Sequence, residues 1–296
     1  MTEQPEQGIS RELGFGEVFS KTFSVYRRDF AKYFLLFAIV GAIVQVVTTL
    51  AQQAFVLPML PLNPTSQQLT SYLSALFGAL FLLIAVIVLV NIIFSTIAQG
   101  SAIKIASERI TKGQVNFGAS IRFVASRLLS IWALSIIVGI IVFLGIIALI
   151  VPGIILAIMY CLALPVLLIE NEGVFDSMSR SRVLVKHRWA KTLGIFIVLL
   201  IIVLIASLIV GAITAPFGII GTMINGILSA FFQPLFPILL GVYYHSNLSR
   251  TSQPPAGQMP TAPATTLQAG MKPCPTCGAQ NSSTATFCTK CGARLN

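Results

Sequence analysis

Residues 128–169 read LLSIWALSIIVGIIVFLGIIALIVPGIILAIMYCLALPVLLI, a stretch without a charged residue that ends just before Glu170. It is long enough for two membrane passages of about 20 residues with a turn between them. We place the turn at the tripeptide VPG, residues 151–153, because Pro and Gly interrupt helices. The stretch therefore predicts a hairpin of two transmembrane helices, over 129–150 and 154–169.

Two further stretches of the chain lack charged residues in the same way, from Lys32 to Lys104 and from Lys191 to Arg250. Their turns are predicted at the Pro-rich segment VLPMLPLNPTSQQ and at TAPFG. The spans predicted on either side of these turns cover 33–55, 71–99, 192–212 and 219–244. The 296-residue chain is 56% hydrophobic and 9% charged, whereas soluble domains have about 25% charged residues. We therefore expect an all-α membrane protein with six transmembrane helices in three hairpins.

The basic residues indicate how these helices are oriented. Lys and Arg occur in the charged segment before each predicted hairpin and in the C-terminal tail, and none occurs in the three connecting turns. By the positive-inside rule, both termini and both charged loops are cytoplasmic. The polar opening MTEQPEQGISRE shows no cleavable signal sequence. We expect a multi-pass protein of the cell (plasma) membrane.

The net charge of +10 is explained by this topology, with the basic residues facing the anionic lipids of the inner leaflet. A strongly basic chain also raises the question of nucleic-acid binding. No basic helix or aromatic platform suited to a nucleic acid occurs in the sequence, so we do not expect one as a partner.

Each predicted hairpin is preceded by a segment with an apolar stripe at helical spacing. The three segments cover about residues 16–30, 116–128 and 173–189, and each begins near a phenylalanine: Phe19, Phe117 and Phe175. This pattern is typical of amphipathic helices that lie in the membrane interface. Packing of the same stripes against the helix bundle is the alternative. Either way, the sequence predicts one unit repeated three times.

Two segments of the chain carry a family resemblance: FSKTFSVYRRDF and VPGIILAIMYCLALPVLLIENEGVFDSMSRSRVLVKHRWAKTLG. They resemble the membrane domain found beside some glycerophosphoryl diester phosphodiesterases and related prokaryotic six-helix membrane proteins. The resemblance covers residues 14–249 and includes a Pro–Gly turn, Pro165 in the next helix and Glu170 at its end. In that family, catalysis belongs to a separate soluble barrel, which this chain has no room for. The resemblance implies a membrane part without its enzyme.

The predicted spans contain few groups that carry chemistry. They lack ionisable residues, and the polar side chains Gln45, Asn91, Ser135 and Gln233 are expected to form hydrogen bonds between helices. The absence of a carboxylate or histidine at depth argues against ion-coupled transport. No nucleophile–base pair, phosphate-binding loop or carboxylate pair can be assembled, so we expect a protein that is not an enzyme.

Ionisable residues do occur where the spans reach the predicted inner edge of the membrane. Glu170 is spaced to pair with Arg180 or Arg182, and a solvated carboxylate is the alternative. His187 and His245 have no neighbours of metal-ligand type, and we expect both at the surface.

Polar segments flank the six-helix domain, which we assign to residues 14–248. Residues 1–13 are expected to be disordered. Residues 249–272 are rich in Pro, Ala, Thr and Gln without apolar periodicity, which predicts a flexible linker.

The C-terminal segment CPTCGAQNSSTATFCTKC contains two CxxC pairs separated by ten residues. Two such pairs form knuckles that present four thiolates to one tetrahedral ion. The predicted ligands are Cys274, Cys277, Cys288 and Cys291. Gly278 and Gly292 follow the second cysteine of each pair, where freedom to adopt positive φ eases the turn. Phe287 and Leu295 are the sizeable apolar side chains of the segment, too few to form a core without a metal.

This segment resembles the short single zinc ribbons at the ends of many prokaryotic proteins, which have the form CPxCG…FCxxCG. We predict a ribbon over residues 273–296 that holds one structural Zn²⁺, with a redox dithiol or an iron site as the alternatives. Reduced thiols are available in the cytoplasm, in agreement with the predicted orientation. Four thiolates close the coordination sphere and leave no position for an activated water.

These features predict a scaffold, regulator or sensor in the membrane. The zinc ribbon is expected to dock a cytoplasmic protein partner, although a ribbon that only caps the chain terminus is the alternative. A transporter or lipid-handling protein is the alternative for the chain as a whole. A cavity lined by Gln45, Asn91 and Gln233 would favour that second function.

Overall fold

The structure is a computed structural model that describes residues 9–54, 65–252, 271–274, 279–282 and 285–295. Its internal contacts divide the chain into two compact units. We refer to Met1–Thr251 as the helical unit and to Ser252–Asn296 as the ribbon unit.

The described part of the chain contains eleven α-helices, one short 3-10 helix over Ala215–Phe217 and two short strands. In chain order the elements are α1 (Phe15–Arg28), α2 (Phe30–Ala54), α3 (Ser66–Lys112), α4 (Phe117–Ser126), α5 (Leu128–Ala148), α6 (Ile150–Tyr160), α7 (Ala163–Ile169), α8 (Val174–Val185), α9 (Trp189–Thr214), α10 (Gly218–Ser229), α11 (Leu235–Ser252), β1 (Met271–Pro273) and β2 (Gln280–Ser282).

Five segments of the described chain are long and apolar enough to cross a membrane, and they identify a membrane protein. They are Phe30–Ala51, Ser66–Lys112, Leu128–Ala148, Ile150–Ile169 and Trp189–Phe217. These segments overlap the first five predicted spans, with different bounds.

The sixth predicted span, 219–244, is interrupted in the structure. Helix α10 ends at Ser229, and α11 begins only at Leu235. Pro234 lies in the interruption, where its ring and its missing N–H prevent a continuous helix. A single straight sixth helix is therefore not observed.

The turn between α5 and α6 is tighter than the sequence suggests. It consists of Leu149 alone, whose backbone is extended with φ −162° and ψ 138°. Pro152, expected in the turn, lies in the first turn of α6, where proline is tolerated. A Cβ on Gly153 would lie 2.6 Å from the backbone nitrogen of Ile146, so the two helices can approach this closely only with glycine at this position.

Helix α3 extends well beyond the predicted span 71–99. Its 47 residues correspond to about 70 Å, more than twice the roughly 30 Å apolar thickness of a bilayer. None of the residues in its most apolar 18-residue window is buried, whereas Ala102, Ile103 and Ala106 near its C-terminus are fully buried. The core of the helical unit therefore surrounds the charged end of α3.

The same core includes buried side chains of α7 and α11, among them Leu167, Leu168, Leu239 and Tyr243. The apolar surfaces of α5 and α9 remain largely exposed within the unit. An exposed apolar surface of this extent is what membrane lipid would cover.

The short helices α1, α4 and α8 occupy the positions of the three predicted amphipathic segments. Each directs apolar side chains into the core, with Val18, Val124 and Leu184 fully buried. The opposite face of α8 is exposed, and Phe175 at the start of this helix is 72% exposed. Packing against the bundle therefore accounts for one side of these helices. On α1 and α8 it leaves the aromatic side chains of Phe15, Phe23 and Phe175 exposed.

Glu12 connects the chain before α1 to the start of α9. Its carboxylate accepts hydrogen bonds from Lys191 at 2.6 Å and Arg188 at 2.9 Å, and the N–H of neighbouring Leu13 donates to Ser246 Oγ at 2.8 Å. Burial alone would raise the pKa of Glu12, but these bonds outweigh it and lower the pKa. Residues 9–13 of the segment predicted as disordered are thus in contact with the helical unit, and residues 1–8 lie outside the described chain.

Asp29, between α1 and α2, forms the most buried ion pair of the described helical unit. Its side chain is 2% exposed and accepts two hydrogen bonds from Arg109 of α3 and one from Lys32, the last at 2.9 Å. Burial opposes ionisation of this carboxyl, but the pairing with Arg109 and Lys32 prevails and holds the pKa of Asp29 below its usual value.

Glu170 is paired rather than solvated. Arg180 Nε donates to its Oε1 at 3.3 Å, and the Tyr244 hydroxyl donates to the same atom at 2.7 Å. The predicted pairing with Arg180 is therefore correct. The pair joins the end of α7 to α8 and α11.

The two histidines differ in environment. His187 is exposed, as predicted, in the turn between α8 and α9. His245 is 7% exposed, and its Nε2 lies 2.9 Å from Ser107 Oγ, so the prediction of a surface position was wrong. The reason is the packing of α11 against the C-terminal half of α3. Burial lowers the pKa of His245 to about 4.

In the described chain, the polar side chains predicted to bond between helices bond to their own helices instead, whereas Trp132 of α5 donates to Thr96 of α3 and Asn225 of α10 donates to Thr214 of α9. Gln45 donates to Thr49, Asn91 to the carbonyl of Ile87, and Ser135 to the carbonyl of Ile131. Gln233 is exposed in the interruption between α10 and α11. The expected interhelical role of these groups is not observed.

Candidate metal centre

The first cysteine of the ribbon unit is positioned by a two-stranded antiparallel hairpin. Strands β1 and β2 pair with Lys272 opposite Asn281. Cys274 follows β1 directly, and its N–H donates to the carbonyl of Ala279 at 2.9 Å. This bond holds the backbone of Cys274 close to that of Ala279.

The second pair of cysteines lies in a knuckle closed by backbone hydrogen bonds. The N–H of Cys288 donates to the carbonyl of Ala293 at 2.8 Å, and the N–H of Gly292 donates to the carbonyl of Cys288 at 2.9 Å. Gly292 has φ of +72°, the left-handed conformation that its position after the CxxC pair predicted. Gly278, the corresponding residue of the first pair, lies outside the described residues.

Three of the four predicted ligands converge on one point. The Sγ atoms of Cys274, Cys288 and Cys291 all lie within 4.8 Å of one another, and those of Cys274 and Cys291 are 3.6 Å apart. Thiolates at about 2.3 Å from a tetrahedral zinc ion are about 3.8 Å apart, so the cluster has the dimensions of a zinc site. Soft thiolate donors also suit zinc. The ribbon unit therefore provides a site for one structural Zn²⁺.

Cys277 lies outside the described residues, so its predicted role as a ligand stays a prediction. With a fourth thiolate the coordination sphere of the ion would be full. Such a site stabilises the fold and offers no open position for a substrate.

Asn281 is a functional residue of the site that the sequence analysis missed. Its amide nitrogen donates to the carbonyl of Ala279 at 2.7 Å and approaches Cys288 Sγ at 3.5 Å. Its amide oxygen accepts hydrogen bonds from the backbone N–H and hydroxyl of Thr289, at 3.0 and 3.1 Å. Asn281 thus joins the two knuckles and orients a metal ligand, which is the usual role of residues around a metal site. The cysteine spacing contains no signal for it.

A backbone group also supports the same thiolate. The N–H of Lys290 lies 3.4 Å from Cys288 Sγ. Donors of this kind stabilise the negative charge of a thiolate and favour its deprotonated, metal-binding form.

The two apolar side chains of the ribbon have different environments. Leu295 is 4% exposed and packs beside Cys274 and Cys288, where it forms the small core of the unit. Phe287 is 60% exposed, although its backbone bridges to Arg294. A large aromatic side chain is thus presented to solvent beside the metal centre.

Comparison with known proteins identifies this unit. A family model of the zinc-ribbon domain matches residues 274–295, a range that includes all four predicted ligands. No curated protein and no solved structure matches the chain. The zinc-ribbon assignment rests on this match together with the geometry of the three thiolates.

Proposed function

We propose that this protein is a non-enzymatic integral membrane protein that acts as a scaffold, regulator or sensor and docks a cytoplasmic protein through its zinc ribbon. The observation that carries the proposal is the exposure of Phe287 on a unit whose metal site is structural. A zinc ion holds the surrounding backbone in place, so this ring is presented at little cost in conformational entropy. Exposed aromatic side chains are common anchors of protein interfaces.

The helical unit serves as the anchor in this proposal. It crosses the plasma membrane six times in three hairpins, with the sixth crossing made by α10 and the first part of α11, bent at Pro234. Helices α1, α4 and α8 lie at the cytoplasmic face, and both termini are cytoplasmic. The distribution of Lys and Arg supports this orientation, as does the resemblance of residues 14–249 to the phosphodiesterase-associated membrane domain.

The absence of catalysis is part of the proposal. The carboxylates of Glu12, Asp29 and Glu170 are engaged in ion pairs that join helices. A general acid or base must be available to a substrate, and these groups are occupied in a structural role.

The docking role can be tested by crosslinking in cells, followed by purification of the protein. The full chain is compared with a version truncated before Pro254, with Phe287→Ala and with Thr286→Ala as the neighbouring exposed control. We expect the full chain and Thr286→Ala to capture the same cytoplasmic proteins and the other two versions to lose them, with zinc content unchanged in both point variants. Identical captured sets in all four versions would contradict the docking role.

A second candidate function, the handling of a small polar solute, is favoured by one cavity. It has a volume of about 890 Å³ and is lined by uncharged hydrogen-bonding side chains of α2 and of the α9–α10 region, including Gln45, Thr49, Thr214 and Asn225. Gln45 is one of the three residues expected in such a cavity, whereas Asn91 and Gln233 lie elsewhere. In proteoliposomes, this function predicts glycerol permeation that Asn225→Leu reduces, and permeation equal to that of protein-free vesicles would exclude it for glycerol.

A further inference from the structure

A second, smaller cavity lies where α8 turns into α9, and its walls are almost entirely apolar. It has a volume of about 340 Å³. Ile155 and Met159 of α6, Val183 of α8 and Trp189 of α9 contribute to its lining. A cavity of this size and composition accommodates several methylene groups of an acyl chain.

The remaining lining includes three side chains of basic type: Arg182, Lys186 and His187. No carboxylate lies among its lining residues within the described part of the chain. The acidic residues near this helix, Glu172 and Asp176, line a separate cavity with Glu170. An apolar cavity with a basic rim is complementary to a molecule that has an apolar chain and an anionic head.

The backbone of the turn is unusual at the point where it supplies this rim. His187 has φ of +63°, a left-handed conformation that is uncommon for a residue with a side chain. The turn is closed by hydrogen bonds from the N–H groups of Lys186 and Arg188 to carbonyls at the end of α8. Strained conformations of this kind cluster at functional sites. Here the conformation places Lys186 and His187 together at the cavity.

Arg182 is held over an aromatic ring at the same place. Its guanidinium carbon lies 5.7 Å from the ring centroid of Tyr160. A cation–π contact orients the guanidinium group while leaving its N–H donors in the plane of the group, where they can bind phosphate oxygens.

The cavity lies at the boundary between the polar and apolar parts of the chain. Trp189 is the first residue of α9 and of the membrane-crossing segment Trp189–Phe217, and it is 56% exposed. Tryptophan is enriched at the level of lipid headgroups. A molecule bound here would have its head at that level and its chain among the helices.

We propose that this cavity binds one anionic phospholipid, with the acyl chain against Ile155, Met159 and Trp189 and the phosphate at Arg182, Lys186 and His187. The proposal rests on the placement of the helical unit in a membrane given above. It adds a defined lipid site to the general attraction of a basic protein for anionic headgroups.

The test uses the fluorescence of Trp189 in the full chain, with Trp132→Phe so that one tryptophan remains. The protein is reconstituted in phosphatidylcholine vesicles that contain increasing fractions of one brominated lipid, either phosphatidylglycerol or phosphatidylcholine. The brominated acyl chains quench tryptophan fluorescence on contact. We expect half-quenching at about a tenfold lower fraction of the brominated anionic lipid, because the basic residues at the cavity attract its headgroup.

The double variant Arg182→Gln/Lys186→Gln should quench equally with both lipids. The control Lys112→Gln/Arg122→Gln removes the same charge from exposed positions outside the cavity and should keep the preference. Equal quenching in the parent protein, or a preference that survives in Arg182→Gln/Lys186→Gln, would overturn the lipid site while leaving the membrane placement intact. An absence of quenching by either lipid would overturn both.

Discussion

The helical unit and the ribbon unit are stabilised in opposite ways. The helical unit buries a large apolar core around α3, α7 and α11 and adds ion pairs between helices. Among the described residues of the ribbon unit, the buried apolar cluster consists of Cys274, Cys288 and Leu295, and two of these three residues are predicted metal ligands. A chain segment of this size cannot fold on its own core, so the metal must supply the free energy that packing supplies elsewhere.

The largest expected difference between the two units is their response to removal of the metal. In Cys288→Ser we expect loss of zinc and unfolding of the ribbon unit, because metal binding contributes on the order of 10 kcal/mol to such folds. Zinc content by atomic emission measures the first effect. Tryptophan fluorescence measures the helical unit alone, since Trp132 and Trp189 both lie there.

The control for this prediction is Cys161→Ala, which removes the one cysteine outside the ribbon. It should retain a full equivalent of zinc. Zinc retained in Cys288→Ser would show that the thiolate cluster is not the metal site.

Within the helical unit, the largest effect of a single polar substitution is expected at Asp29. The variant Asp29→Asn removes the charge of the carboxylate that pairs with the largely buried guanidinium of Arg109, which costs about 3 kcal/mol. Thermal unfolding followed by tryptophan fluorescence in detergent measures this loss. Glu172→Gln, at an exposed position, should change the midpoint little. Equal midpoints for the two variants would show that the ion pair does not stabilise the unit.

Close packing of the α5–α6 hairpin predicts a smaller effect. In Gly153→Ala the new Cβ meets the backbone of Ile146, and we expect a loss of about 2 kcal/mol from the resulting shift. Gly139→Ala, on α5 with nothing within 4 Å of the added atom, is the matched control and should be neutral or stabilising. The same unfolding measurement compares them. A neutral Gly153→Ala would mean that the two helices do not approach this closely.

The smallest expected effect is a dependence of the stability of the helical unit on pH. Burial lowers the pKa of His245 to about 4 from the ordinary 6.5, so the unfolded chain binds the proton more readily than the folded one. The stability of the helical unit should therefore be full above pH 6.5 and fall as the pH drops, by about 1 kcal/mol between pH 6.5 and 5.5.

His245→Gln should flatten this part of the pH profile, and the exposed His187→Gln should not. Asp29 contributes in a different range, because its lowered pKa makes its stabilisation disappear only in acid below its ordinary value of 3.8. A profile that is unchanged in His245→Gln would contradict the buried, neutral state of this residue.

The difference between the units also explains what could be predicted from sequence. Hydropathy and charge are local properties, and they located five segments long and apolar enough to cross a membrane and the short helices α1, α4 and α8. Cysteine spacing located the ribbon. The interruption of the sixth span had a visible cause in Pro234, although the sequence does not specify whether proline bends a helix or ends it.

Contacts between residues that are far apart in the sequence could not be predicted from hydropathy, charge or spacing. Asp29 and Arg109 are 80 residues apart, and neither has a neighbour in sequence that indicates the pair. His245 is buried because α11 packs on α3. The polar residues that surround it in the sequence give no indication of this burial. Asn281 supports the metal site through a side chain whose partners lie on both knuckles. Each of these three features can be recognised only once the folded structure is known.

We infer that metal binding holds the ribbon unit and packing holds the helical unit, independently of each other. Hydrogen–deuterium exchange of the full chain, measured by mass spectrometry before and after removal of zinc with a chelator, tests it most directly. We expect amides of β1, β2 and the second knuckle to lose their protection while those of α3, α7 and α11 keep theirs. Protection retained in the ribbon, or lost in both units together, would contradict the claim.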